Sequence, residues 1–115
     1  MSDRKIKAII KRADEPIGHV SWISDTLVNL QRAVGGMIEW VPVDTVYTGG
    51  EEITLGILCD EEGRLKGKPE NCEAWGISFV GDIILLGAKG EEFADVPIAW
   101  GEYKRLFNAG VICNA

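Results

Sequence analysis

The sequence predicts an α+β domain, with a mixed, mostly antiparallel sheet and two helices packed on it. Three features carry that expectation. Short runs such as RKIKAIIKR and ITLGILC alternate apolar with other residues. Two segments repeat apolar residues at i, i+3 and i+7, and glycine-rich or acidic turns separate the pieces. The chain has 115 residues, a length that buries roughly two thirds of the unfolded surface without disulfide or metal. One domain, 1–115, is therefore expected.

In chain order, Arg4 to Arg12 places Ile6, Ala8 and Ile10 on one face and Lys5, Lys7 and Lys11 on the other, with Ile9 as the exception. This reads as a half-buried strand whose lysines form a solvated face. DEPIG is a turn, and HVSWI is either a second strand or an extended lead into a helix. Leu27, Leu30 and Val34 form the first helical stripe. Ser24 or Asp25 is placed to cap its start, and Gly35 or Gly36 to close its end in the left-handed conformation. MIEWVPV is then a strand, with Pro42 confined to an edge or bulge because it has no N–H for the ladder.

A flexible acidic turn is expected at Gly49 to Glu52, followed by a strand carrying Ile53, Leu55, Ile57 and Cys59 on one face. Asp60 to Gly63 has the composition of a hairpin turn, so the chain is expected to double back there. Ile77 to Val80 and Ile83 to Ala88 read either as a tight hairpin or as one bulged strand. Another acidic turn, Gly90 to Asp95, leads to a second helix starting near Pro97, with Trp100, Tyr103 and Phe107 as its stripe. Val111 to Cys113 is a short final strand or a tail gripping a partner.

Composition excludes several function classes. A net charge of -6 argues against direct nucleic-acid binding, where phosphate contacts dominate affinity. The apolar runs are too short to span a bilayer and the first residues lack a signal-peptide pattern, so a cytoplasmic protein without a membrane partner is expected. Cys59, Cys72 and Cys113 are too widely spaced for a paired zinc motif and odd in number for a disulfide framework. His19 is the single histidine and has no announced nucleophile beside it. The acid pairs at 51–52, 61–62 and 91–92 sit in turns, where solvated charge explains them. Gly35 and Gly36 follow a helix, the wrong end for phosphate. No catalytic residue, metal or cofactor is therefore assigned.

The remaining constellation is Arg64, Lys66, Lys68 and Asn71 on one loop, with Trp75 and Phe79 beyond it. Cations pair with phosphate, asparagine reads a base edge and an aromatic ring stacks on a base, the parts of a nucleotide pocket. Tyr103 and Arg105 are candidates to complete it across a subunit interface in a homo-oligomer. The plainer reading is that the cations pair with the acidic turn while the aromatics fill the core.

The combination LQRAVGGMIEWVPVD, ILCDEEGRLKGKPEN and GDIILLGAK before a terminal helix is similar to a small family of uncharacterised domains found mainly in bacteriophages, prophages and mobile elements. The resemblance runs from about Thr26 to Phe107, departs at TVYTGGEEITLG, and implies a setting more than a chemistry. Two functions are expected from residues and setting together. One is a protein that sequesters a small nucleotide-like ligand, such as a host anti-phage defence signal, in the host cytoplasm and without catalysis. The other is an acidic interaction module that inhibits a host protein, its turns imitating nucleic-acid phosphates.

Overall fold

A computed structural model describes residues 4–115. Within them nine strands and two helices follow in the order β1 (Lys5–Lys11), β2 (His19–Ser24), α1 (Leu27–Val34), β3 (Ile38–Thr48), β4 (Glu51–Asp60), β5 (Glu70–Ala74), β6 (Ile77–Val80), β7 (Ile83–Lys89), β8 (Glu92–Ala94), α2 (Trp100–Asn108) and β9 (Ile112–Asn114). The α+β class holds, and the strands divide into two sheets rather than one. The larger runs β2-β1-β7-β4-β3, with β8 beside the second half of β7, and the smaller runs β6-β5-β9. Every described pairing is antiparallel.

The larger sheet is the middle layer. On one face Leu30 and Val34 of α1 pack on Ile6, Ala8, Leu58, Ile84 and Leu86. On the other, the smaller sheet and α2 bring Cys72, Phe79, Tyr103 and Ile112 onto Ile9, Leu55, Ile57, Ile83 and Leu85. This two-sided burial explains Ile9 and the unbroken IILL of β7, since strands covered on both faces lose their alternation. An eight-residue helix is unstable alone. Burying Leu30 and Val34 supplies on the order of 3–5 kcal/mol to hold α1 in place.

The helix α1 has the expected bounds, but its N-cap is Thr26, whose side chain accepts from the Asn29 N–H, and not Ser24 or Asp25. Leu27 of the expected stripe is 57% exposed. Gly35 closes the helix at φ 77°, a left-handed conformation suited to glycine. Gly36 is small for a different reason: a Cβ there would overlap the Asp60 carboxylate. Pro42 lies at a register shift in the edge strand β3, as its missing N–H requires. TVYTGGEEITLG is an ordinary hairpin joining β3 to β4.

Three local expectations are corrected. Asp60 to Gly63 does not start a hairpin, because β4 pairs with β3 and β7 while the chain crosses to the smaller sheet. Ile77–Val80 and Ile83–Lys89 are neither a hairpin nor one bulged strand; they lie in different sheets. Lys11 is not solvated but fully buried, its ammonium donating to Glu15 O and Asn71 Oδ1 at 2.8 Å each. The second helix begins at Trp100, three residues after Pro97, without a side-chain cap. Its aromatic stripe packs as expected, with Trp100, Tyr103 and Phe107 rings 5.2 Å apart in succession. The C-terminal residues form a true strand, β9, on β5.

Candidate functional site

The expected loop cluster does not assemble into one pocket. Lys66 and Lys68 both reach the buried Asp60, at 2.8 and 2.7 Å. Lys68 also donates to Val34 O and Gly35 O, so these cations close the carbonyl end of α1. The hydrogen bonds from Lys66 and then Lys68 hold the Asp60 carboxyl well below the usual carboxylate range, against the opposing effect of burial. For the lysines, ion pairing with the acidic turn is therefore what the structure shows. Asn71 is buried, and its amide donates to Lys11 O and Gly81 O at 2.8 and 2.7 Å, leaving no N–H for a base edge. Tyr103 is buried with its hydroxyl donating to Ile17 O.

The other expected residues separate into two clefts. Arg64 and Phe79 line one of about 360 Å³ between β3 and β6, where the guanidinium donates to Ser78 O at 2.9 Å. Trp75 and Arg105 line another of about 390 Å³ between the β3–β4 hairpin and α2, and Arg105 is paired with Glu102. Trp75 holds φ 50°, uncommon for a bulky residue, in its two-residue turn with Gly76.

A third concavity has the charge that the loop lacks. The smaller sheet and α2 cover only part of their face of the larger sheet, and the uncovered part is an open groove of about 650 Å³. Lys5 and Lys7 of β1, Trp22 of β2, Glu51 and Ile53 of β4 and Lys89 of β7 line it, with Ala94 to Ala99 along one side. Lys5 and Lys7 share a face because side chains alternate along a strand, which sets them about 7 Å apart. Trp22 is the cross-strand partner of Lys7 and stands 59% exposed.

Several of the groove's charges are committed. Lys89 pairs with Glu51. Arg4 at the rim approaches Asp25 and Glu92 at 3.7 and 3.8 Å and donates to Phe93 O. Asp95 accepts from the Lys7 backbone N–H at 2.9 Å. Among the described residues the Lys5 and Lys7 ammonium groups have no such partner. Two free cations beside an exposed indole can take a phosphate and an aromatic ring together. The sequence signal was present in the alternating lysines, which read as a solvated face. The register that sets Trp22 opposite Lys7, and the half-covered sheet, were not visible in it.

His19 is held in a contact with Glu15 at 2.8 Å, and two of the cysteines are buried. Burial alone would raise the Glu15 carboxyl, but the Arg12 N–H and His19 outweigh it and hold it low. Burial pushes the Cys59 thiol up to about 11, helped by Glu39, and also raises Cys72, so neither is an activated nucleophile. A thiol reagent added to the folded protein is expected to modify the exposed Cys113 quickly and the two buried cysteines only after unfolding. Rapid labelling of more than one thiol in the native state would contradict that burial. Among the described residues no three His, Cys, Asp or Glu side chains converge as a metal site, and no helix is long and apolar enough to cross a membrane.

Compared with families of known proteins, residues 6–108 match one described as a domain of unknown function. No curated protein and no solved structure matches the chain.

Proposed function

The chain belongs to the DUF3846 family, and on that premise we propose that it binds a small phosphate-bearing, nucleotide-like ligand in the basic groove without catalysing its conversion. The observation that carries this reading is the pair of ammonium groups, Lys5 and Lys7, without an ion-pair partner among the described residues and beside the exposed Trp22, in a protein of net charge -6. Phosphate oxygens would bridge the lysines while a base lies on the indole, stacking worth about 1–3 kcal/mol. Glu51 and Asp95 bound the groove, and with the overall negative charge they disfavour a long polyanion. The resemblance seen in the sequence supports a phage or mobile-element setting, in which the ligand would be a host defence signal held out of reach.

The alternative, an acidic inhibitor imitating nucleic-acid phosphates, draws less support. Of the acids it relies on, Glu51 is paired with Lys89, and Asp60 is buried under two lysines.

Calorimetry with a panel of linear and cyclic nucleotides, followed by heat release, tests the reading. At least one nucleotide should bind at micromolar concentration and return chemically intact. Lys7→Glu should weaken it at least tenfold, since a charge-assisted hydrogen bond is worth about 1.5–3 kcal/mol. Trp22→Ala should weaken it several-fold, whereas Arg64→Ala should leave affinity unchanged. Absence of binding across the panel, a chemically altered ligand, or equal affinity in Lys7→Glu would overturn it.

A further inference from the structure

The cleft holding Arg64 has a different character from the basic groove. It separates the open edges of the two sheets, since among the described residues β3 bonds only to β4 and β6 only to β5. Val41 of β3 and Ile77 and Phe79 of β6 make it apolar, and Leu65 stands at its rim 86% exposed, with nothing among the described residues covering it. Leu65 and the exposed Ile77 line the same cleft as Val41 and Phe79, and it is such contiguous apolar surface, not a single exposed side chain, that marks a contact site. Edge strands carry unpaired N–H and C=O groups that accept an added strand, and alternate side chains of that strand fill neighbouring pockets.

The charges around the cleft specify the occupant. Glu39 and Glu61 are exposed in its lining. Its one cation, Arg64, is already directed at the Ser78 carbonyl on β6. Asp60, also in the lining, is matched by Lys66 and Lys68, so Glu39 and Glu61 are the lining carboxylates left open to a ligand, on a protein that is itself negative. We infer that the gap between the edges of β3 and β6 receives an extended peptide segment of a partner protein, one carrying apolar side chains for the Leu65–Ile77 side and basic side chains for Glu39 and Glu61. Main-chain pairing along the open edge of β3 supplies affinity, since Arg64 already caps the Ser78 carbonyl on β6, and the acids supply selection against acidic segments.

The test uses the full chain and a displayed library of random 12-residue peptides. Selected peptides should be enriched in basic and apolar residues and bind at micromolar concentration, with amide shift changes centred on residues 39–41 and 77–80. Leu65→Asp and the double change Glu39→Lys with Glu61→Lys should each weaken binding at least tenfold while the melting temperature stays within a few degrees of wild type. Binding of the same peptides should be unaffected by Lys7→Glu, which separates this surface from the nucleotide groove. The inference is overturned if no peptide binds below millimolar concentration, or if acidic peptides are selected. It is also overturned if shift changes fall outside these strands, if both variants bind as wild type does, or if the variants only abolish self-association of the chain.

Discussion

Replacing Asn71 by alanine is expected to lower the unfolding free energy by about 3–5 kcal/mol, as much as truncating a large core side chain. The amide joins three segments distant in sequence. It donates to Lys11 O at the end of β1 and to Gly81 O at the crossover into β7, and it accepts from the Lys11 ammonium. Truncation takes the amide donor from two buried carbonyls and leaves a buried cation with Glu15 O as its remaining partner among the described residues. Each unsatisfied group costs about 1–3 kcal/mol, more for a charged one. Burial already pushes the Lys11 amine below the ordinary lysine range, with Cys72 and Glu15 opposing the shift, so this cation has little solvation to fall back on. Urea unfolding followed by tryptophan fluorescence measures the loss. A change below 1 kcal/mol would show that water replaces the amide.

The double variant Asn71→Leu with Lys11→Met is expected to recover part of that loss. Removing both members of a buried polar pair avoids the unpaired group that removing one creates. The network also bears on the groove. By tying the start of β5 to the end of β1, it fixes the smaller sheet over the Ile9 and Lys11 end of β1 and leaves the Lys5 and Lys7 end uncovered.

These contacts show which parts of the molecule are legible in the residue order. The extent of α1 could be read because Leu30, Val34 and Gly35 act within one helix, and Pro42 could be assigned to an edge because its missing N–H restricts it in any context. Thr26 replaced Ser24 and Asp25 as the cap because three capping residue types stand within three positions, and only the geometry of chain entry selects among them. Lys11 and Asp60 read as surface charge because their burial depends on Asn71, sixty residues from Lys11, and on lysines that fold back over α1. The residue order joins β6 to β7, as a hairpin or as one bulged strand, because both are apolar and adjacent, while the choice of sheet is made by Pro69 O and the Asn71 amide holding Gly81 at the crossover. The candidate groove was hidden for a related reason. Its residues lie on β1, β2, β4 and β7, and only the partial cover of that face makes them a concavity.

The second large effect concerns Asp60. Asp60→Asn is expected to lower stability by about 2–3 kcal/mol at neutral pH. This is less than the 3–5 kcal/mol typical of breaking a fully buried pair, because Lys66 is still partly in water. For a domain of this size that corresponds to a fall in melting temperature on the order of 10 °C. The sign of the pH dependence follows from the carboxyl being held below its ordinary range in the folded state. The folded protein binds fewer protons than the unfolded chain, so the stabilisation is complete above the unfolded carboxyl pKa of about 3.9. It is lost as pH falls from there toward the depressed folded value. The difference in melting temperature between wild type and Asp60→Asn should therefore be constant from about pH 7 to pH 5 and shrink below about pH 4. If that difference stayed the same down to pH 3, the stabilisation would come from the shape of the side chain and not from its charge. Gly36→Ala should resemble Asp60→Asn at neutral pH, because the added methyl group would displace the carboxylate from the lysines that hold it.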